Sequence, residues 1–363
     1  MNHSRRNYRT LISLAISLVL VYVLLFKPHI GAMLRGELGP GAALFGTFRI
    51  GGDDLQTALG HLRWLPILEA LLLMILSLLL RGWRWQRIIA TVGHAPYKLV
   101  FWSVNLGYLL NNVLPLRAGE FLRAVFVARR ASLPVTALLT TVVLERAFDL
   151  AGLCILFGIT LAVWEVPGWL KAGGVTFAVL VTLFILAAWV LAASVEKTAA
   201  WFHARIEGRG KLVTRIGRAM IGFLNGLSVL RSTKTMLHML WSTLALWAMY
   251  CTMMKLFFDA FSFTDGSYPA FAGGAWVEAA AMTVITSIGY SVPSAPGAVG
   301  TYHSAIVLGA SYFGVPTGVA VVFAAALHAL NYITLSGMGL LGLWALKLRW
   351  SDLVKQAKEA PPR

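Results

Sequence analysis

The chain has 363 residues, 58% hydrophobic and 13% charged, with a mean hydropathy of +0.73 and a formal net charge of +16. These values exclude an ordinary soluble domain, and without ten-residue apolar/polar alternation the chain does not read as a transmembrane barrel. The basic surplus does not point to nucleic acid, because Lys and Arg lie between apolar runs rather than on a soluble face interleaved with aromatics.

Uncharged runs recur at Thr10 to Phe26, Ala70 to Leu80, Leu99 to Leu116, Gly152 to Trp164, Ala172 to Val195, Thr235 to Met254, Ala279 to Tyr302 and Ser304 to Leu346. Several approach the roughly 20 residues that cross a hydrocarbon core as a helix, which makes the fold all-α, a polytopic transmembrane helical bundle. The first run resembles a signal peptide, but no small-x-small cleavage site follows it between Lys27 and Arg35, so it reads as a retained span. Arg5, Arg6 and Arg9 precede that run, and Arg81, Arg84, Arg87 and Lys98 read as a basic loop after the second. By the positive-inside rule these segments, the basic stretch 196–234 and the tail after Leu346 are cytoplasmic, placing both termini inside a cytoplasmic membrane.

Loop signs must alternate across true spans, and two apolar runs return to the side they left. About six full spans are therefore expected near 10–27, 62–80, 133–164, 172–195, 236–258 and 318–346. Two broken or re-entrant hairpins complete them, one over Leu99 to Leu116 and one over Ala279 to Phe313, the latter centred on Ser291 to Gly300. One membrane domain results: a first half over 10–195, a basic interfacial segment over 196–234, a second half over 235–346 and a tail over 347–363. The segment 196–234 reads as an amphipathic helix on anionic lipid headgroups, or as a solvated loop. Interrupted segments at matching places in two halves suggest an inverted repeat around a midplane site; a plain eight-span bundle is the other reading.

Ionisable residues beside or inside apolar runs are costly and mark candidate sites. Arg117, Glu120 and Arg123 share one face at helical spacing, so the carboxylate is expected to neutralise one guanidinium and leave the other for an anion. Glu145, Arg146 and Asp149 form a second cluster, and the six groups together balance to zero. An ion-pair network that only joins two segments is the competing reading. Pro296 and Gly297 are expected to open a half-helix whose N-terminus faces an anion, with Ser294, Gly300 and Asn112 as further polar or close-approach positions. A Pro/Gly kink needed only for packing would look the same. His303 and His328 read as interhelical hydrogen-bonding residues or proton carriers, and Trp64, Trp83, Trp85, Trp164, Trp169 and Trp350 as an interfacial aromatic belt. Cys154 and Cys251 lie in apolar runs and read as inert thiols, and no metal, cofactor or catalytic motif is evident.

Asn112-x-x-Pro115-x-Arg117-x-Gly119-Glu120-x-x-Arg123, Glu145-Arg146-x-x-Asp149 and Pro293-x-x-Pro296-Gly297-x-x-Gly300 occur in that order. They resemble the motifs of the lysylphosphatidylglycerol synthase transmembrane region, a flippase-like family that includes stand-alone members, some linked with hopanoid lipids. The resemblance implies a lipid-handling module with those polar residues at its site. It does not imply lipid synthesis, because the two-part synthases carry aminoacyl transfer on a further soluble domain, and this chain ends seventeen residues after its last expected span. Where the family commonly reads Pro-Gly-Gly-x-Gly-x-x-Glu, this chain has Ala298 for a Gly and His303 for the Glu.

The function expected is translocation of a polar or anionic lipid between leaflets, with membrane lipids and an envelope-lipid biosynthetic enzyme as candidate partners. A membrane enzyme acting on a lipid-linked substrate and a non-transporting partner of a lipid synthase are the alternatives.

Overall fold

In the computed structural model, the residues described are 15, 17–27, 35, 47–114, 118–163, 168–195, 198, 211–292 and 295–348. Residues 17–25 are helical, and eleven α-helices of eight or more residues follow among the described residues. They are α1 (Gly52–Leu59), α2 (Trp64–Ile89), α3 (Tyr97–Val113), α4 (Ala118–Arg130), α5 (Val135–Val163), α6 (Gly168–Ala193), α7 (Lys211–Leu227), α8 (Thr233–Ala260), α9 (Trp276–Ser291), α10 (Thr301–Tyr312) and α11 (Thr317–Ala345). Among the described residues strand pairing is confined to a two-residue antiparallel bridge between β1 (Phe26–Lys27) and β2 (Thr47–Phe48), where the Phe26 and Phe48 rings meet at 5.6 Å. The fold is all-α and of membrane type. Four helices among the described residues are long and apolar enough to cross a membrane: α2, α5, the Lys171–Ala193 part of α6, and α11.

Helix α2 runs nine residues past the expected end of the second span, through Arg81-Gly82-Trp83-Arg84-Trp85. The sequence-based reading of a basic loop there is wrong for a physical reason: charge alone does not stop a helix, and no Pro interrupts this stretch. Gly82 packs against Phe101, leaving only 3.0 Å to the ring for an added Cβ, and Trp85, Ile88 and Ile89 are buried. Trp85 is therefore a core residue rather than part of an aromatic belt.

Both interrupted segments contain the expected breaks. Helix α3 ends at Val113 and α4 begins at Ala118. Helix α9 stops at Ser291 and α10 starts at Thr301, and the two pack closely where Gly289 meets Thr301 and Ala305. Between them Pro296–Ala298 forms one 3₁₀ turn. Pro296 thus lies outside the new helix, whose N-cap is Gly300, and the expected half-helix start at Pro296-Gly297 is displaced to Thr301. The cause is the backbone: Gly297 and Gly300 have φ of 72° and 91°, conformations that interrupt an α-helix and favour glycine.

The chain forms two compact units, each drawing on both sequence halves: residues 1–74, 111–116 and 250–334 make the first, and 75–110, 117–249 and 335–363 the second. In the second unit, α7 docks on α5 through Gly222 and Gly226, where an added Cβ would collide with the side chains of Thr136 and Thr140. A small-x-x-x-small face permits this approach, with Leu224 and Leu227 buried beside it. Over 211–227 the basic segment is thus an α-helix packed on α5 rather than a solvated loop.

The first unit has an aromatic core beneath the turn that follows α8. Phe258 lies 4.8 Å from Phe271 and 5.8 Å from Phe323, and Phe263 lies 5.1 Å from Phe323. All four rings are essentially sealed, so this turn is anchored by ring packing. At its surface the Ser267 amide donates to Asp265 at 3.0 Å and holds that carboxyl below its ordinary range.

Candidate functional site

Three helices place seven charged side chains of the second unit in one network, and a fourth adds neutral partners. Helix α2 supplies Arg81 and Arg84, α4 supplies Glu120 and Arg123, α5 supplies Glu145, Arg146 and Asp149, and α8 adds Thr243 and Trp247. Glu145 is completely buried and accepts from Arg84 Nη2 at 3.0 Å and Arg123 Nη2 at 2.8 Å. Asp149 sits 2.8 Å from Arg84 Nη1, 3.2 Å from Arg146 Nη1 and 3.4 Å from Arg81 Nη1. Arg146 Nε reaches Glu120 at 2.9 Å. Arg84 also donates to Thr243 Oγ1 at 3.0 Å, and the Trp247 indole N–H donates to the Asp149 carbonyl at 3.2 Å.

Neutral groups hold the arginines in register. The Arg123 guanidinium lies 4.5 Å from the centroid of the Trp85 indole, a cation–π contact. That indole donates to Thr141 Oγ1 at 3.1 Å, and the Thr141 hydroxyl donates to the Leu138 carbonyl at 2.7 Å. Gly107 on α3 lets α4 approach closely: an added Cβ there would lie 3.1 Å from the Gly119 carbonyl and 3.3 Å from Arg123 Cδ.

The network has an inside and an edge. Side-chain exposure is 0% for Glu145, 1% for Arg84 and 3% for Arg123, rising to 12% for Asp149, 13% for Arg81, 21% for Glu120 and 34% for Arg146. Four guanidiniums meet three carboxylates among the described residues. The buried Nε atoms of Arg84, Arg123 and Arg146 lack an aligned hydrogen-bond acceptor, the last despite its short contact with Glu120. The unaligned donors of Arg84 and Arg123 lie inside the network and that of Arg146 at its edge, beside Glu120.

Several expectations change here. Glu120 pairs with Arg146 and Arg123 with Glu145, so the two residues of α4 reach across to α5 rather than neutralising one another. Arg81 and Arg84 join five of the six predicted groups, and the sixth, Arg117, lies outside the described residues. These two were missed as loop charges; their spacing of three within a run that keeps Trp85, Ile88 and Ile89 on a buried face was the available signal. Arg117 and Ser294 lie outside the described residues.

The remaining predicted residues belong to the first unit. An added Cβ on Gly297 would meet Tyr332 Cε2 at 2.8 Å, and one on Gly300 would meet the Ser17 carbonyl at 2.9 Å, so close backbone approach requires glycine at both. The Ala295 amide donates to Ser17 Oγ at 2.8 Å, and Asn112 offers its carbonyl to the Tyr332 hydroxyl at 3.5 Å. His303 is not a lone histidine: its Nε2 lies 3.2 Å from His328 Nδ1, with the Tyr302 ring 5.2 Å and the Tyr332 ring 5.9 Å from that of His328. His328 also hydrogen-bonds the Gly297 backbone, and Tyr302 bonds Asn331. The helix break is thus tied to the imidazole pair. Cys154 is half-buried and Cys251 buried, both as free thiols. Among the described residues no three His, Cys, Asp or Glu side chains converge as a metal site would require.

The family model described as the lysylphosphatidylglycerol synthase TM region matches residues 10–339. A UPF0104 membrane protein of Methanocaldococcus jannaschii is 23% identical over 298 residues, which cover 77% of this chain and 84% of the relative. No solved structure matches the chain.

Proposed function

Because the chain belongs to the lysylphosphatidylglycerol synthase TM region family and is a multi-pass membrane protein, we propose that it moves a polar or anionic lipid between the leaflets of a cytoplasmic membrane. One observation carries this reading: a buried network of four arginines and three carboxylates among the described residues that runs from sealed Glu145, Arg84 and Arg123 to a partly exposed Arg146. A guanidinium-rich network that reaches a partly exposed edge suits an anionic headgroup, because arginine forks match phosphate oxygens. The interrupted helices α3/α4 and α9/α10 are the elements around which access would alternate. The basic N-terminal residues and tail support a cytoplasmic location for both termini, by the positive-inside rule. An envelope-lipid biosynthetic enzyme is a natural partner for such a protein, as the source of the lipid it moves.

The test is leaflet redistribution in liposomes that contain the purified full chain and headgroup-labelled anionic or zwitterionic lipid. Redistribution that depends on protein and is lost in Arg146→Gln is expected. A distribution unaltered for every headgroup tested overturns the proposal.

A further inference from the structure

In the first unit, His303 on α10 and His328 on α11 form an imidazole pair that the lipid reading leaves unused, with His303 Nε2 3.2 Å from His328 Nδ1. The hydrogen bonds around this pair run in one direction. His328 donates to the Gly297 backbone carbonyl. Because its Nδ1 faces His303, the proton in that bond sits on Nε2, and in a neutral ring Nδ1 is then an acceptor. His303 must therefore donate from Nε2, which makes its Nδ1 the bare nitrogen of the pair. That nitrogen is buried and has no hydrogen-bond partner. A chain of donors thus leads from His303 through His328 to the turn at Gly297, and it begins at an unpaired acceptor. The titratable groups around the pair are phenols: Tyr302 and Tyr332, whose rings lie 5.2 and 5.9 Å from that of His328, and Tyr290 on α9, 6.0 Å from Tyr302. Phenols are uncharged near neutral pH. The neighbouring side chain that acts electrostatically on His303 is His328.

We propose that His303 Nδ1 is a proton-binding site and that the pair passes the charge it takes up to the Gly297 turn. One proton adds to His303 Nδ1, and the proton already on its Nε2 crosses to His328 Nδ1. His328 becomes the imidazolium, and His303 returns to neutral with its proton on Nδ1. Only N–H bonds form and break, and the pair gains one positive charge. The charge settles on His328 because the Gly297 carbonyl and the Tyr302 ring lie closer to it than to His303. The Gly297 carbonyl then accepts from a charged donor, and charge-assisted hydrogen bonds are roughly twice as strong as neutral ones. Gly297, at φ of 72° and against Tyr332, lies in the break between α9 and α10, so a proton held at the pair tightens that break. A second proton is excluded by geometry. Two imidazoliums would point N–H groups at each other across 3.2 Å, losing the shared hydrogen bond and adding like-charge repulsion.

The experiment is solid-state nitrogen NMR of the full chain, isotopically labelled at histidine and reconstituted in liposomes, from about pH 8 to about pH 4. It reads the protonation of each ring nitrogen, and His303→Gln and His328→Gln assign the two rings. At the alkaline end both rings are expected to carry their proton on Nε2. On acidification the pair is expected to gain one proton, ending with His328 doubly protonated and His303 protonated on Nδ1. A His303 that carries its proton on Nδ1 at the alkaline end, two rings that both become charged, or a pair that takes up no proton overturns the site. Limited proteolysis at 292–300, normalised to cleavage of the unfolded chain at the same pH, reads the coupling. Loading is expected to slow cleavage about fivefold in wild type. His303→Gln keeps a donor toward His328 but binds no proton, and its normalised rate is expected to stay flat. The same pH response in both proteins overturns transmission to the break; if His303→Gln does not fold, a flat response in wild type does so. Neither readout involves lipid movement, so this proposal and the transport reading fail separately.

Discussion

Arg123 Nη2 and Glu145 Oε2 meet at 2.8 Å with both side chains almost completely sealed from solvent. The pair lies at the centre of a graded network, and the gradient separates structural from functional members. Glu145→Gln leaves Arg84 and Arg123 without their shared carboxylate in the interior and is expected to cost about 3–5 kcal/mol. Glu120→Gln, at the exposed end, is expected to cost less than about 1 kcal/mol. Thermal unfolding of the two variants in the same detergent checks the contrast, and equal losses would show that the network has no inside and edge.

Gly297→Ala is expected to destabilise the break between α9 and α10. It places a Cβ at φ of 72° and against Tyr332, and the left-handed backbone alone costs about 1–2 kcal/mol for an L-residue. The expected readout is a lower melting temperature with faster proteolysis near 292–300. An unchanged protease pattern would mean that the segment does not depend on this glycine.

Removal of one imidazole is expected to matter more than its polarity alone suggests. His303→Ala takes away the partner 3.2 Å from buried His328, and an unsatisfied buried polar group costs about 1–3 kcal/mol. His303→Gln keeps a donor within reach and is expected to recover part of that loss. Circular-dichroism melts of the two variants distinguish this from a position that only needs bulk, which would rank Gln and Ala together.

Gly226→Val is expected to push α7 away from α5, because overpacking at a tight contact costs about 1–3 kcal/mol and here meets Thr140 directly. Cysteine pairs engineered into the exposed ends of the two helices would crosslink efficiently in wild type and poorly in the variant. Identical crosslinking would mean that the helices are held by other contacts.

Local chemistry made much of this legible in the sequence. Glycine and proline between Ser291 and Thr301 announced the break, and Glu145, Arg146 and Asp149 inside an apolar run announced the polar cluster. What stayed hidden was pairing at a distance. Arg84 finds Glu145 sixty-one residues away, and nothing local distinguishes a guanidinium that continues a helix into the interior from one that ends it in a loop. For the same reason His303 looked isolated until His328 was placed beside it. The small-x-x-x-small spacing of Gly222 and Gly226 was visible as a pattern, but the strong basic bias around it pointed toward the membrane surface instead. The Phe26–Phe48 bridge has no signature at all in two-residue strands.

Arg84 grips two carboxylates one helical turn apart, Glu145 through Nη2 at 3.0 Å and Asp149 through Nη1 at 2.8 Å. The backbone positions of those two residues lie about 6 Å apart along the α5 axis while their carboxylates converge on one planar fork, which thus reads both rotation and axial position. Turning α5 by one residue, about 100°, would carry both acceptors off the fork at once. The Arg81–Ile89 end of α2 and the middle of α5 therefore behave as one gear-locked body, and any conformational cycle of this protein has to pivot elsewhere.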